Sequence, residues 1–258
     1  MKRQTQVLLV LLPVAACIGC EAPLRIQPGM SAIQINVRAK PKTGYRPSPR
    51  RSPNSTALYP MQDDSPIDPS STGPFERVNY RTLEDIVVWI EPESSDVALP
   101  SRQDEGTVRI DVKPSRGRGT RPVRPPLNVI GVGGRLRFRN LGPQADAVFS
   151  FSKSNTFDLG DIPPNGESTY VVQAPGLIEV LCASREEPLV RVYAAPSRWV
   201  KRITSKTKAT FTDLPPGRYR VSCWHPRLPG SRTVVILKPD ELTRETLTVS
   251  VNNLTEIP

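Results

Sequence analysis

The chain of 258 residues carries Lys+Arg 35 against Asp+Glu 25, a formal charge of +10, and is long enough for one large or two small domains. Pro 29 and Gly 16 suit many short strands and disfavour long helices. One histidine, His225, and three methionines, Met1, Met30 and Met61, exclude His-pair zinc sites, hydrolase dyads using any other imidazole, and a copper centre of two His, Cys and axial Met built by this chain alone.

The chain also lacks GxxxxGK[ST], a GxGxxG followed by helical periodicity, and CxxC. Met1-Lys2-Arg3 is a basic start, Val7 to Ala16 an apolar run broken by Pro13, and small residues lead to Cys17 and Cys20. The run is shorter than the ~20 apolar residues that span a bilayer, so residues 1–20 read as a secretory signal. Val14-Ala15-Ala16-Cys17 and Cys17-Ile18-Gly19-Cys20 each resemble a bacterial lipobox, which implies acylation of Cys17 or Cys20. The expectation is an exported, membrane-anchored lipoprotein facing the periplasm or exterior.

Ile33 to Val37 alternates apolar and polar and predicts a strand, placed at 31–37. Residues 40–76 turn to Pro, Ser, Arg and Asp and read as a disordered insertion, with too little apolar area to offset ordering entropy. Within 84–92, Ile86 to Ile90 is continuously apolar and predicts a strand covered on both faces. Strand-like runs then recur: 107–112, 129–132, 135–139, 147–150, 168–172, 176–182, 189–194, 209–212, 218–224, 233–237 and 246–251. Gly-Gly, Pro-Gly and Pro-Pro-Gly turns separate many of them, which predicts an all-β sandwich or barrel with no helix.

Two blocks carry a resemblance. Val129-Ile130-Gly131-Val132-Gly133-Gly134-Arg135-Leu136-Arg137-Phe138-Arg139-Asn140-Leu141-Gly142-Pro143, then Val148-Phe149-Ser150, Phe157-Asp158-Leu159-Gly160, Pro175-Gly176 and the Cys182 strand end, resemble the plastocyanin-like cupredoxin domain of bacterial methylamine-utilisation-like envelope proteins. The resemblance covers 106–195 and implies a Greek-key sandwich. In that family His-Asn precedes Val-Phe-Ser and the later Cys opens Cys-x-x-His-x-x-Met, and those side chains bind copper. Here Asp146 and Ala147 replace His-Asn, Arg185 replaces the second His and Pro188 the Met, so only Cys182 survives. A blue site needs two imidazoles and a thiolate, so no cofactor is expected; the alternative is copper at an atypical Cys182 site, serving binding or electron transfer.

The second block, Pro196, Ala209-Thr210-Phe211-Thr212-Asp213-Leu214-Pro215-Pro216-Gly217-Arg218-Tyr219-Arg220-Val221 and Trp224-His225, is similar to the prealbumin-like, carboxypeptidase-regulatory-like sandwich. The resemblance implies that 196–252 forms this sandwich, that the strands at 31–37 and 84–92 complete it, and that the cupredoxin-like domain is inserted in it or followed by it. Together the resemblances imply a non-catalytic envelope lipoprotein acting as a binding or structural module.

Between 102 and 139, ten Lys or Arg stand against three acidic residues. Period-two alternation in Arg135-Leu136-Arg137-Phe138-Arg139 sets three guanidiniums on one face, which reads either as a solvated sheet face or as a site for an acidic envelope polymer or protein. Nucleic acid is not expected, for want of interleaved aromatic platforms. His225, at a strand end before Pro226, reads as a structural imidazole, and Cys182 and Cys223 as buried thiols or a disulfide joining the two modules. If the former copper positions still converge, Asp146 and Arg185 face each other as an ion pair.

Overall fold

The computed structural model describes residues 24–41, 80, 82–94, 97, 106–113 and 125–251. The signal segment, Cys17, Cys20 and nearly all of the Pro-rich insertion lie outside the described residues. Among the described residues no helix is long and apolar enough to cross a membrane.

The chain is all-β. Its strands are β1 (Ser31–Lys40), β2 (Ile86–Pro92), β3 (Thr107–Val112), β4 (Leu127–Gly131), β5 (Arg135–Asn140), β6 (Asp146–Ser152), β7 (Asn155–Ile162), β8 (Glu167–Val171), β9 (Gly176–Cys182), β10 (Val190–Ala195), β11 (Val200–Ile203), β12 (Ala209–Leu214), β13 (Gly217–His225), β14 (Leu228–Leu237) and β15 (Leu242–Ser250). They form four sheets, ordered β12-β1-β15, β11-β2-β13-β14, β4-β10-β9-β6-β7 and β3-β5-β8.

Each pair of sheets encloses a core. Between the first two, Ile33 and Ile35 of β1 meet Ile86, Val88 and Ile90 of β2, with Phe211, Tyr219 and Leu247 beside them. Between the last two, Leu136 and Phe138 of β5 pack on Val148, Ile178, Val180, Cys182 and Val192. Thus β1, β2 and β11 to β15 build one sandwich and β3 to β10 the other, with the second lying in the chain between β2 and β11.

Two strands explain how the sandwiches join. β2 points Ile86, Val88 and Ile90 into the first core, and its other face offers Val87 and Trp89. β10, buried along its whole length, likewise gives Val190, Val192 and Ala194 to the second core and turns Tyr193 and Ala195 the other way. Those outer faces meet with Leu127, Val129, Leu177, Val200 and Trp224 in a third apolar cluster. The ring of Tyr193 stacks on Trp224 at 4.3 Å and lies 5.7 Å from Trp89. A strand buried on both faces has no polar side to show, which is why Ile86 to Ile90 is continuously apolar.

A buried charge sits at this seam. Asp85, 5% exposed and held at φ 58°, a conformation Asp tolerates better than most residues, precedes β2. Its Oδ2 accepts from Arg191 Nη2 of β10 at 3.0 Å and its Oδ1 from Arg202 Nη2 of β11 at 3.0 Å. Arg191 also donates to the Pro125 carbonyl, and Arg202 to that of Leu127. Nearby, a Cβ on Gly131 would lie 2.6 Å from the Cα of Arg198, so the approach of β4 to the chain before β11 requires glycine.

Candidate functional site

The positions that the resemblance aligns with copper ligands, Asp146, Cys182, Arg185 and Pro188, lie at the start of β6, at the end of β9 and in the turn after it. Val148 pairs with Cys182 and Phe149 with Leu181, so the residues just before Val148 stand beside the turn that follows Cys182. The backbone N–H of Ala183 donates to Ala147 at 3.0 Å and that of Arg185 to Cys182 at 3.2 Å, closing this turn. Leu189 N–H then returns to Val180 at 2.8 Å, carrying the chain past Pro188 into β10. The start of β6 is fixed by buried Asn140, whose Nδ2 donates to the Gln144 and Ile162 carbonyls at 2.7 and 2.8 Å, while its Oδ1 accepts from Gly142 N–H.

Asp146 and Cys182 are thus brought together, but the expected Asp146–Arg185 ion pair does not form. Asp146, 7% exposed, accepts from Ser184 twice: backbone N–H to Oδ1 at 3.0 Å and hydroxyl to Oδ2 at 2.5 Å. The turn after Cys182 places these donors directly on the carboxylate, satisfying it with neutral groups. The Arg185 guanidinium stays close enough to bear on the thiol, with its Nε buried and without a hydrogen-bond partner. Ser184, which organises the cluster, was not singled out from the sequence; a serine two residues beyond a strand-end cysteine carries no pattern of its own.

Cys182 is 1% exposed and its Sγ lies 3.8 Å from the Ser184 hydroxyl oxygen. Burial raises its pKa, opposed by the Ser184 hydrogen bond, with Asp146 adding to the rise and Arg185 counteracting it. Cys223 is also a free buried thiol, so the disulfide considered between them is not formed. Burial pushes Cys223 up to about 11, moderated by a backbone hydrogen bond from Ser231.

This donor set does not fit a blue copper centre. The thiolate position is flanked by a guanidinium, a hydroxyl and a carboxylate already engaged by two donors, and no imidazole is near. His225 belongs to the other core's sheet, 5% exposed, its Nδ1 accepting from Arg227 N–H at 3.2 Å in the turn between β13 and β14. Among the described residues no group of three or more His, Cys, Asp or Glu side chains gathers.

The basic stripe exists but is interrupted by counter-charges. Arg135, Arg137 and Arg139 are exposed, alternating with buried Leu136, Phe138 and Asn140. β3 runs parallel beside them and sets Arg109 opposite Arg137 and Asp111 opposite Arg139; antiparallel β8 sets Glu167 opposite Arg139. Arg137 forms a hydrogen-bonded ion pair with Glu167. Arg102, Arg116, Arg118, Arg121 and Arg124 lie outside the described residues.

No protein-family model matches the chain, and no curated protein matches it. The solved structures to which it is similar include cupredoxins. A purple cupredoxin from Nitrosopumilus maritimus is 14% identical, with 34% of this chain and 98% of that one covered and a TM-score of 0.28. Two single-site mutants of amicyanin, one reduced and one oxidised, are 14% and 13% identical, cover 38% and 42% of this chain and 98% and 99% of theirs, each at a TM-score of 0.26.

Proposed function

We propose that the chain is a non-catalytic cell-envelope lipoprotein in which a copper-less cupredoxin-like sandwich and a prealbumin-like sandwich form one structural or binding module. The observation that carries this reading is the engagement of Asp146 at the positions that the resemblance aligns with copper ligands. Asp146 engages both oxygens with Ser184, and Cys182 is buried beside the turn, so neither presents an open ligand to a metal. Anchoring rests on the basic start, the short apolar run and the small-residue cysteines at Cys17 and Cys20. One acyl chain binds a membrane only marginally, so stable attachment implies the several chains of a full lipoprotein modification. The stripe of Arg135, Arg137 and Arg139 fits an acidic envelope polymer or protein as partner.

Metal analysis of the purified protein with a visible spectrum tests the copper-less reading. The expected result is no stoichiometric copper and no blue absorption; bound copper overturns it. Asp146→His, Arg185→His and Pro188→Met together restore the four-ligand set, and the folded triple variant is expected to take up copper and turn blue. A folded, colourless triple variant would show that these positions never formed a metal site. For anchoring, the unmodified chain is expected in the membrane fraction and the Cys17→Ser, Cys20→Ser variant outside it.

A further inference from the structure

The two inner sheets overlap only in part. Their seam covers β4, β10 and the start of β9 on one and β11, β2 and the end of β13 on the other, so among the described residues part of each outer face lies outside the seam. On the first, β6 turns Phe149 and Phe151 outward between buried Val148 and Ser150. Phe151 is 75% exposed, and the two rings lie 5.2 Å apart with Leu181 opposite Phe149. Acidic residues surround them: Asp158 opposite Phe149, Asp161 opposite Ala147, and exposed Glu179 on β9, with Lys153 at the hairpin tip as a counter-charge. A chain of net charge +10 therefore holds an aromatic patch rimmed by acid.

The second face carries the opposite sign. Edge strand β14 turns Val234 and Ile236 outward, 42% and 61% exposed, beside buried Val235 and Leu237. Arg220 and Arg218 stand opposite them on β13, and Arg232 lies further along β14. Glu93 is ion-paired with Arg218, and Glu91, which accepts from Trp89 Nε1, stands opposite Arg220 in the register, so the three guanidiniums of Arg218, Arg220 and Arg232 face two carboxylates and Arg232 leaves this rim net positive.

Single exposed apolar side chains need no explanation, but a paired aromatic patch and a paired aliphatic patch with rims of opposite charge do. We propose that the Phe149 and Phe151 face of one copy docks on the Val234 and Ile236 face of a second copy, acid rim against basic rim. The surfaces are different, so the contact is heterologous, and repeated docking builds rows or rings rather than a two-fold dimer. The proposal deepens the structural-module reading and rests on it, yet the two fail separately: metal content decides that reading, and cross-linking decides this one.

The test uses the full chain in its membrane, with Phe151→Cys in one tagged copy and Ile236→Cys in a second, differently tagged copy, treated with a short bis-maleimide. Both positions are exposed, whereas Cys182 and Cys223 are buried, and the unsubstituted chain, which also carries Cys17 and Cys20, sets the background. The expected result is a mixed-tag cross-link, little product from either variant alone, and a ladder of higher species from the chain carrying both substitutions. Adding Asp158→Arg and Glu179→Arg to the Phe151→Cys copy is expected to cut the mixed product about tenfold or more, because like charges then meet across the contact. Cross-links between two Phe151→Cys copies at equal yield, or no product above the control, overturn the proposal.

Discussion

Asp85 and Asp146 are both buried carboxylates, at 5% and 7% exposure, and they are satisfied in opposite ways. Asp85 stands where two sandwiches meet and takes a guanidinium from each, Arg191 of one and Arg202 of the other. Asp146 stands within one sandwich and takes two neutral donors from a single residue of the adjoining turn, Ser184. A charge shared by separately cored modules helps fix how they dock, whereas a carboxylate at a strand start only fixes a local turn. The first is therefore the costlier to break.

Arg191→Ala is expected to destabilise most, by about 3 to 5 kcal/mol in denaturant titration, because it strands a buried carboxylate with only the half-exposed Arg202. Asp85→Asn with Arg191→Met is expected to recover much of that loss, since no unpaired charge then remains buried. A loss under about 1 kcal/mol for Arg191→Ala would mean that the seam is held by its aromatic residues alone.

Asp146→Ala is expected to cost about 1 to 3 kcal/mol, towards the lower figure because Ser184 is exposed and water can replace its partner. Asp146→Asn sharpens the contrast: an amide oxygen still accepts from Ser184, so little stability is lost, whereas Asp85→Asn alone removes the charge that two guanidiniums require. Equal costs for the two Asn variants, measured by thermal unfolding, would erase the distinction.

How much of this was legible follows from which residues act locally. Alternation in β5 and the continuous apolar run in β2 were readable, and strand positions such as Thr107–Val112 and Gly176–Cys182 coincide with the sequence reading. β7 was missed as a strand because Gly160 and three acid or amide residues dilute its pattern; it is held by antiparallel pairing with β6 across an irregular register. β11 is four residues with two cations and exists through its pairing with β2. The Arg191 clamp was invisible because its partner Asp85 lies 106 positions away. Expecting Arg185 to pair with Asp146 followed charge and overlooked a nearer hydroxyl.

Alkaline pH separates the cores by a smaller margin. The Cys223 thiol is pushed up to about 11 in the folded chain, and Tyr193 and Tyr219 to about 12, all by burial. For an acid whose folded pKa is raised, the folded state holds its proton more tightly. The contribution is therefore complete below the unfolded value, near 9 for the thiol and 10 for the tyrosines, and is lost as pH climbs through the folded one. Stability is expected to be flat up to about pH 9 and to fall between there and about pH 12, with Cys223→Ala removing the earliest part of the decline. An unchanged onset in that variant would assign it to Cys182, whose thiol burial also raises.

The smallest effect belongs to the stripe. Arg135, Arg137 and Arg139 are exposed, and the Arg137–Glu167 pair is 47% and 37% exposed at its side chains, so neutralising all three to Gln is expected to change stability by no more than about 1 kcal/mol. Binding is where the change should register. Glu167 is ion-paired with Arg137, and Asp111, bridged to Lys113, stands opposite Arg139, which leaves Arg135 facing solvent between the uncharged register partners Thr107 and Val171, with Arg109 opposite Arg137. The triple variant is therefore expected to elute earlier from an anionic matrix at low salt. The difference should fade towards 0.15 M, where exposed charges are screened beyond about 8 Å. Arg137→Gln alone should change retention less than Arg135→Gln alone, because removing Arg137 also frees the Glu167 carboxylate. The reverse order, or retention of the triple variant indistinguishable from the unsubstituted chain, would assign the acidic-partner affinity to another part of the surface.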